Sequence, residues 1–259
     1  MKLQMYQIDA FTNNIFEGNP AAVCPLDEWL SDDLMLKIAN ENNLSETAFF
    51  VKEKDFYRIR WFTPISEVDM CGHATLASAY VIFKVLNYKD DTIIFNSKSG
   101  ILKVKNIDNK FEMDFPIQTI QKCNTPNIII KAFNKIPLEC YKSMDYIVVF
   151  KYESDIVNLE PNFEMLKELD LRGVIVTVQS KSYDFITRCF FPKYGVNEDP
   201  VTGSAFTQLV PYWSKKFNKD MFRAKQISKR GGEVFCKLDD NRIKISGYAV
   251  KYLDGIIDI

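Results

Sequence analysis

Two stretches of this chain are apolar around nearly the whole circumference of a helix, and they constrain the fold more than any other feature. After Gly72, the run 74–86 is interrupted only by Thr75, Ser78 and Lys84; after Gly203, the run 205–213 is similarly apolar. A helix that is apolar on every side is buried on every side. Pro211, inside the second run, is expected to kink that helix or limit its regular part, because proline removes an N–H and crowds the preceding turn. Most of the remaining chain reads as short strands. Residues 58–64, 92–95, 102–105, 111–115, 146–150, 173–178, 185–191 and 242–250 carry β-branched or alternating apolar residues between turn signals such as Ser99-Gly100 and Asp108-Asn109. One surface helix is predicted from the N-cap candidate Ser31, followed by Asp32 and Asp33, to about Asn42. Buried helices in a strand-rich chain imply curved sheet wrapped around them.

The surroundings of the two runs repeat. Arg60-Trp61-Phe62-Thr63-Pro64 and Arg188-Cys189-Phe190-Phe191-Pro192 share the pattern Arg-x-Phe-x-Pro, 128 residues apart. Acids follow each, first Glu67 and Asp69, then Glu198 and Asp199. Gly72 and Gly203 come next, 131 residues apart. An offset near half of 259 residues argues for two equivalent halves, each a strand–acid–glycine–buried-helix unit. The expected domains are residues 1–116, with the C-terminal strand 250–259 as a candidate to join them, and residues 117–259.

Composition narrows the function. Apolar residues make up 47% and charged residues 26%, and 33 Lys and Arg against 34 Asp and Glu leave a net charge of −1. Such a chain carries no electrostatic footprint for nucleic acid, and the basic stretch 215–230 reads as a solvated face. The six cysteines form no C-x-x-C pair, which disfavours zinc fingers and redox dithiols. No secretory signal or membrane span is recognisable, so the expectation is a cytoplasmic protein with reduced thiols. His73 is the single histidine, which rules out clustered-imidazole metal sites. With no G-x-S-x-G, Walker A or G-x-G-x-x-G stretch, neither a cofactor nor a metal is expected.

What remains is the chemistry of helix starts. A helix N-terminus presents unsatisfied N–H groups and about half a positive charge, and glycine there lets a ligand approach the backbone closely. If the halves are related by a pseudo-twofold, the starts at Gly72-His73 and Gly203-Ser204 face one cleft, and the natural ligand is a small carboxylate.

Four blocks of residues add a resemblance. Phe16-Glu17-Gly18-Asn19-Pro20-Ala21-Ala22-Val23, Leu44-Ser45-Glu46-Thr47-Ala48-Phe49, Glu67-Val68-Asp69-Met70-Cys71-Gly72-His73-Ala74-Thr75 and Glu198-Asp199-Pro200-Val201-Thr202-Gly203-Ser204-Ala205 resemble the signature blocks of the PhzF (phenazine biosynthesis) family. Gln226-x-Ser228-x-Arg230-Gly231-Gly232 is similar to a further block. The resemblance implies an α+β, diaminopimelate epimerase-like fold, with two pseudo-symmetric domains each wrapping a curved sheet around a buried helix. It also implies a homodimer, while the charge balance and the lack of a long apolar stretch leave no nucleic-acid or membrane partner expected.

The implied activity is a cofactor-independent isomerisation that moves a proton on a small, carboxylate-bearing, cyclic substrate. By resemblance Glu46 is the acid/base, and His73, Asp199 and Ser204 line the same pocket. Asn19, Gly72, Thr202 and Gly203 hold the substrate, its carboxylate on backbone N–H groups. A carboxyl group whose proton affinity is raised by desolvation can remove a proton and return it, and water exclusion keeps that proton from exchanging away.

Two departures qualify the match. Phe206 stands where many relatives carry histidine, which bears on substrate choice. Cys71 occupies the place of the first of two epimerase cysteines, but the block 199–203 supplies no second, so a two-thiol epimerase is disfavoured. The alternative to an isomerase is a non-catalytic member of the fold that binds a small molecule or protein.

Overall fold

Unit 1 of the chain is built on β1 (Lys2–Ala10), β2 (Asn19–Leu26), β3 (Glu46–Lys52), β4 (Tyr57–Phe62), β5 (Glu67–Val68), β6 (Thr92–Ser97), β7 (Gly100–Ile107) and β8 (Lys110–Pro116). Its helices are α1 (Asp32–Asn42) and α2 (Gly72–Tyr80). The computed structural model describes residues 1–259. Unit 1 comprises Met1–Asp114 with Ser246–Ile259, and unit 2 comprises Phe115–Ile245.

The strands of unit 1 pair in sequence. β1 is antiparallel to β2, β2 parallel to β3, and β3 antiparallel to β4. β4 is antiparallel to β5 and parallel to β6, which is antiparallel to β7. The C-terminal strand Ala249–Asp258 adds to β1 antiparallel, from Lys2 opposite Asp258 to Ala10 opposite Ala249.

The helix predicted after Ser31 is present as α1. The Ser31 hydroxyl accepts the Leu34 N–H at 3.3 Å, and the helix closes at Asn43 in the left-handed region. Its buried stripe, Met35, Ile38 and Ala39, packs with Leu3, Cys24, Phe49 and Phe62. α2 is buried from His73 to Ala79 and packs against β1, β2, β3 and the C-terminal strand. Its two hydroxyls are satisfied within the helix: Thr75 Oγ1 donates to the Cys71 carbonyl at 2.6 Å and Ser78 Oγ to the Ala74 carbonyl at 2.8 Å. The apolar run does not stay α-helical to its end. A π-helical turn, Val81–Val85, in which the Leu86 N–H reaches Val81 O at 2.9 Å, keeps Val81, Ile82 and Phe83 buried and leaves Leu86 exposed.

Unit 2 contains β9 (Gln121–Cys123), β10 (Glu139–Lys142), β11 (Tyr146–Val149), β12 (Val174–Gln179), β13 (Phe185–Phe191), β14 (Val196–Asp199), β15 (Met221–Gln226), β16 (Gly232–Asp239) and β17 (Arg242–Gly247), the last ending just past its boundary. Its helices are α3 (Asn127–Phe133), α4 (Glu153–Val157), α5 (Phe163–Leu166) and α6 (Gly203–Phe217). From β10 to β16 the pairing senses repeat those of β1 to β7: antiparallel β10–β11, parallel β11–β12, antiparallel β12–β13, antiparallel β13–β14, parallel β13–β15 and antiparallel β15–β16.

The duplicated pentamer also does the same work twice. Arg60 forks onto Glu67 with two bonds of 2.8 Å, and Arg188 forks onto Glu198 with bonds of 2.7 and 3.0 Å. Each guanidinium also lies over the aromatic ring two residues on, 5.2 Å from Phe62 and 5.1 Å from Phe190. Arg60 holds the Glu67 carboxyl down to about 2, chiefly by hydrogen bonding.

Pro211 does not limit the regular part of α6, which runs continuously from Gly203 to Phe217. The carbonyl that Pro211 leaves without its usual N–H partner is that of Thr207, and it accepts the Gln118 N–H at 3.0 Å instead. Around α6, Phe185 stacks on Trp213 and packs with Phe206 and Phe222, while Trp213 Nε1 donates to Thr177 Oγ1 at 3.1 Å. No helix is long and apolar enough to cross a membrane.

Candidate active site

β3 opens at Glu46, opposite Ala21 of β2, and α2 opens at Gly72 behind the extended residue Cys71. These two starts bring together a carboxylate, an imidazole and a thiol. His73 Nε2 lies 3.1 Å from Glu46 Oε2, a close polar contact outside the alignment of an ordinary hydrogen bond. Its other nitrogen, Nδ1, lies 3.5 Å from Cys71 Sγ. The His73 side chain is 8% exposed and that of Glu46 19%. Burial pushes the imidazole down to about 3, so His73 is neutral at pH 7.

The donor set is of the type zinc accepts, with one ligand atom from each residue within 4.8 Å of the others. Sulfur and carboxylate therefore gather beside the imidazole, close to one another as well as to the ring.

Other residues singled out from the sequence have different settings. Asn19 is fully buried at the start of β2, two residues before the partner of Glu46. Gly72 and Gly203 are the first residues of α2 and α6. Neither helix has an acid in its first turn, so neither positive end is neutralised from within. Gly18, in the first family block, has φ +67°, and a Cβ there would sit 2.2 Å from the Ala10 carbonyl oxygen, so only glycine fits that turn.

In unit 2, Asp199 ends β14 and accepts a short hydrogen bond from Thr202 Oγ1. The fully buried Gln226 braces both: its Nε2 donates to the Asp199 carbonyl at 2.7 Å, and its Oε1 accepts the Thr202 N–H at 2.8 Å. Ser228 Oγ adds a bond of 2.8 Å to the Pro200 carbonyl, so the block beginning at Gln226 holds the loop that starts α6. Ser204 meets none of these. Its hydroxyl accepts from Arg172 Nη2 at 3.1 Å, and Arg172 forks onto the buried Asp145 at 2.8 and 2.6 Å. Gln208 Nε2 completes that network with a bond of 2.7 Å to Asp145.

Sequence reading missed Arg172, Asp145 and Gln208. The first two lie in connections without periodicity, and no motif announces them. Within the basic stretch, Lys216, Lys219 and Arg223 pair with Glu139, Asp184 and Glu233, so those charges are compensated locally.

Comparison with known proteins follows the same residues. Residues 8–255 match the PhzC-PhzF family, described as phenazine biosynthesis-like protein. The chain belongs to this family. A Pseudomonas aeruginosa protein named as an uncharacterized isomerase is 46% identical over 259 residues, with all of both chains covered. The crystal structure of a PhzF-family protein from Enterococcus faecalis superposes with a TM-score of 0.98 at 43% identity, again over the whole of both chains. A predicted epimerase from Pseudomonas aeruginosa shares the fold at a TM-score of 0.76 and 18% identity, covering 98% of this chain and 99% of its own. The PhzF-family chain thus has the α+β, diaminopimelate epimerase-like fold, and family membership supports an isomerase-type function.

Proposed function

We propose that this PhzF-family chain is a cofactor-independent isomerase that moves a proton on a small, cyclic, carboxylate-bearing substrate, with Glu46 as the acid/base. The observation that carries the reading is the 3.1 Å contact between Glu46 and the neutral, buried His73 at the start of α2. A neutral imidazole beside a carboxyl group can accept or donate without adding a fixed charge, as a group that both takes and returns a proton requires. Moving a proton from one carbon to another leaves the substrate's oxidation state unchanged, so the step needs no redox partner.

In this proposal the N–H groups at the start of α2 are a hold for a carboxylate, with Gly72 allowing close approach and Asn19 as a further contact, and within unit 2 the start of α6 offers a like hold with Gly203 and Thr202. Support comes from the two acid-free first turns. Asp199 fixes Thr202 through its hydroxyl, and Ser204, presented by Arg172, stabilises charge that develops on the substrate.

The test is a panel of small cyclic carboxylates incubated with the protein in D2O and followed by proton NMR. The expected result is deuterium at carbon in at least one compound, reduced about 10²–10⁴-fold in a natively folded Glu46→Gln variant. Undiminished exchange in that variant overturns the assignment. Binding without exchange across the panel favours a non-catalytic member of the fold.

A further inference from the structure

Two cysteines too far apart in sequence to form a C-x-x-C pair meet in unit 2. Cys123 ends β9, Cys140 lies on β10, and the antiparallel register sets them directly opposite one another. Opposed residues of such a pair have Cα atoms about 4.5 or 5.5 Å apart, and both separations fall in the range of about 4.4–6.8 Å that a disulfide spans. The two sulfurs lie 3.6 Å apart, so the side chains already share one face of the sheet. Both thiols are free. Cys140 is buried in the core cluster that holds Ile129, Phe133 and Val148, whereas Cys123 is half-buried and packs against it.

We propose that Cys123 and Cys140 are a reversible oxidation site, at which a hydroperoxide converts the pair into a disulfide bridging β9 and β10. Cys123, the more exposed of the two, meets the oxidant. Its sulfur loses the thiol proton and attacks one peroxide oxygen. The O–O bond breaks, a sulfenic acid forms, and the second oxygen leaves as an alcohol, or as water when the oxidant is hydrogen peroxide. The Cys140 sulfur then attacks the sulfenic sulfur. The S–S bond forms, the S–O bond breaks, and the hydroxyl leaves as water with the Cys140 proton. The pair of thiols gives up two electrons and two protons, and the peroxide takes them. A thiol reductant returns the pair to its starting state by exchange.

The surroundings suit Cys140 to the second step. Burial, and after it the neighbouring Cys123, push its thiol up to about 12, so Cys140 does not lead the attack at neutral pH. A Cys123 thiolate no longer opposes it once Cys123 carries oxygen. The segment between the two cysteines contains α3, whose Ile129, Ala132 and Phe133 lie in the core of unit 2. β9 is three residues long. Oxidation therefore closes a loop around α3 and fastens a short strand to the core.

The test treats the reduced, natively folded protein with a small molar excess of hydrogen peroxide. Remaining thiols are blocked with N-ethylmaleimide, and peptides are mapped by mass spectrometry without reduction. The expected product is a peptide pair joined through Cys123 and Cys140, lighter by two hydrogens and restored by dithiothreitol. Cys140→Ser, or Cys140→Ala should the serine variant fail to fold, should instead collect sulfenic acid at Cys123, which dimedone traps. Denaturant unfolding gives a second readout: oxidation raises the midpoint of wild type and leaves that of Cys123→Ser unmoved.

Complete alkylation of both cysteines after peroxide overturns the site. So does a bridge to another cysteine or to a second molecule, irreversible oxidation of Cys123 without a bridge, or a bridge that forms only in denaturant.

Discussion

Unit 1 and unit 2 share a plan but not a chemistry. Both place an arginine on the fourth strand of the repeat (β4, β13), fork it onto a glutamate from the next strand, and cover it with a phenylalanine two residues on. Both open a parallel pair at the equivalent point, but the residue there is Glu46 opposite Ala21 in one and Val174 opposite Tyr146 in the other. Likewise Cys71 and His73 open α2, where Thr202 and Ser204 open α6. The duplicated framework is kept where it supports the sheet. A carboxyl group, a thiol and an imidazole meet at one helix start, and the hydrogen-bonded set of Asp199, Thr202 and Gln226 builds the other.

The arginine forks give the largest expected effect. Arg188→Leu should cost about 3–5 kcal/mol, because Glu198 stays partly buried without its cation and the carbonyls of Ile156 and Leu159 lose the Nη1 donor. Arg60→Leu should cost less, about 1–3 kcal/mol, since Lys98 still reaches Glu67. Denaturant unfolding of both variants measures the difference, and a reversed order would show that the two forks are not equivalent supports.

Acid should separate the two helix starts next. A histidine whose folded value is about 3 against an ordinary 6.5 binds its proton more readily when unfolded. The stability linked to it is complete above about pH 6.5 and is lost as pH falls toward 3, at up to about 1.4 kcal/mol per pH unit. Between pH 6.5 and pH 5, wild type should therefore lose about 2 kcal/mol more than His73→Gln. Ser204→Ala should leave the pH dependence of wild type intact, and equal pH profiles for all three proteins would remove the distinction.

The smallest effect concerns α6 alone. Proline ordinarily costs about 3 kcal/mol relative to alanine inside a helix. Because Gln118 already satisfies the Thr207 carbonyl, Pro211→Ala should recover less than about 1 kcal/mol in thermal or denaturant unfolding. A full recovery would mean that the Gln118 bond contributes nothing.

The duplication was readable in the sequence because Arg60 and Arg188 need the same neighbours at the same spacing to be neutralised and covered. The surface helix was readable because Ser31 and the spacing of Met35, Ile38 and Ala39 are local signals. β1 and β2 escaped the strand reading, and α3 to α5 are too short to show a helical period. The continuity of α6 was hidden for a different reason: the partner of Thr207 lies 89 residues earlier in the chain. Among site residues, the Glu46–His73 contact was reachable only by resemblance. Arg172 and Gln226 act through hydrogen bonds that no sequence period encodes.

The pairing of β1 with Ala249–Asp258 sets an order of assembly. A ribosome delivers all of Phe115–Ile245 before the strand that flanks β1 emerges, so the first-synthesised unit is the last that can close. Its folding must wait for a partner some 250 residues downstream. Until then β1 presents an open edge to neighbouring nascent chains, a hazard that falls on the unit carrying Glu46 and not on its twin.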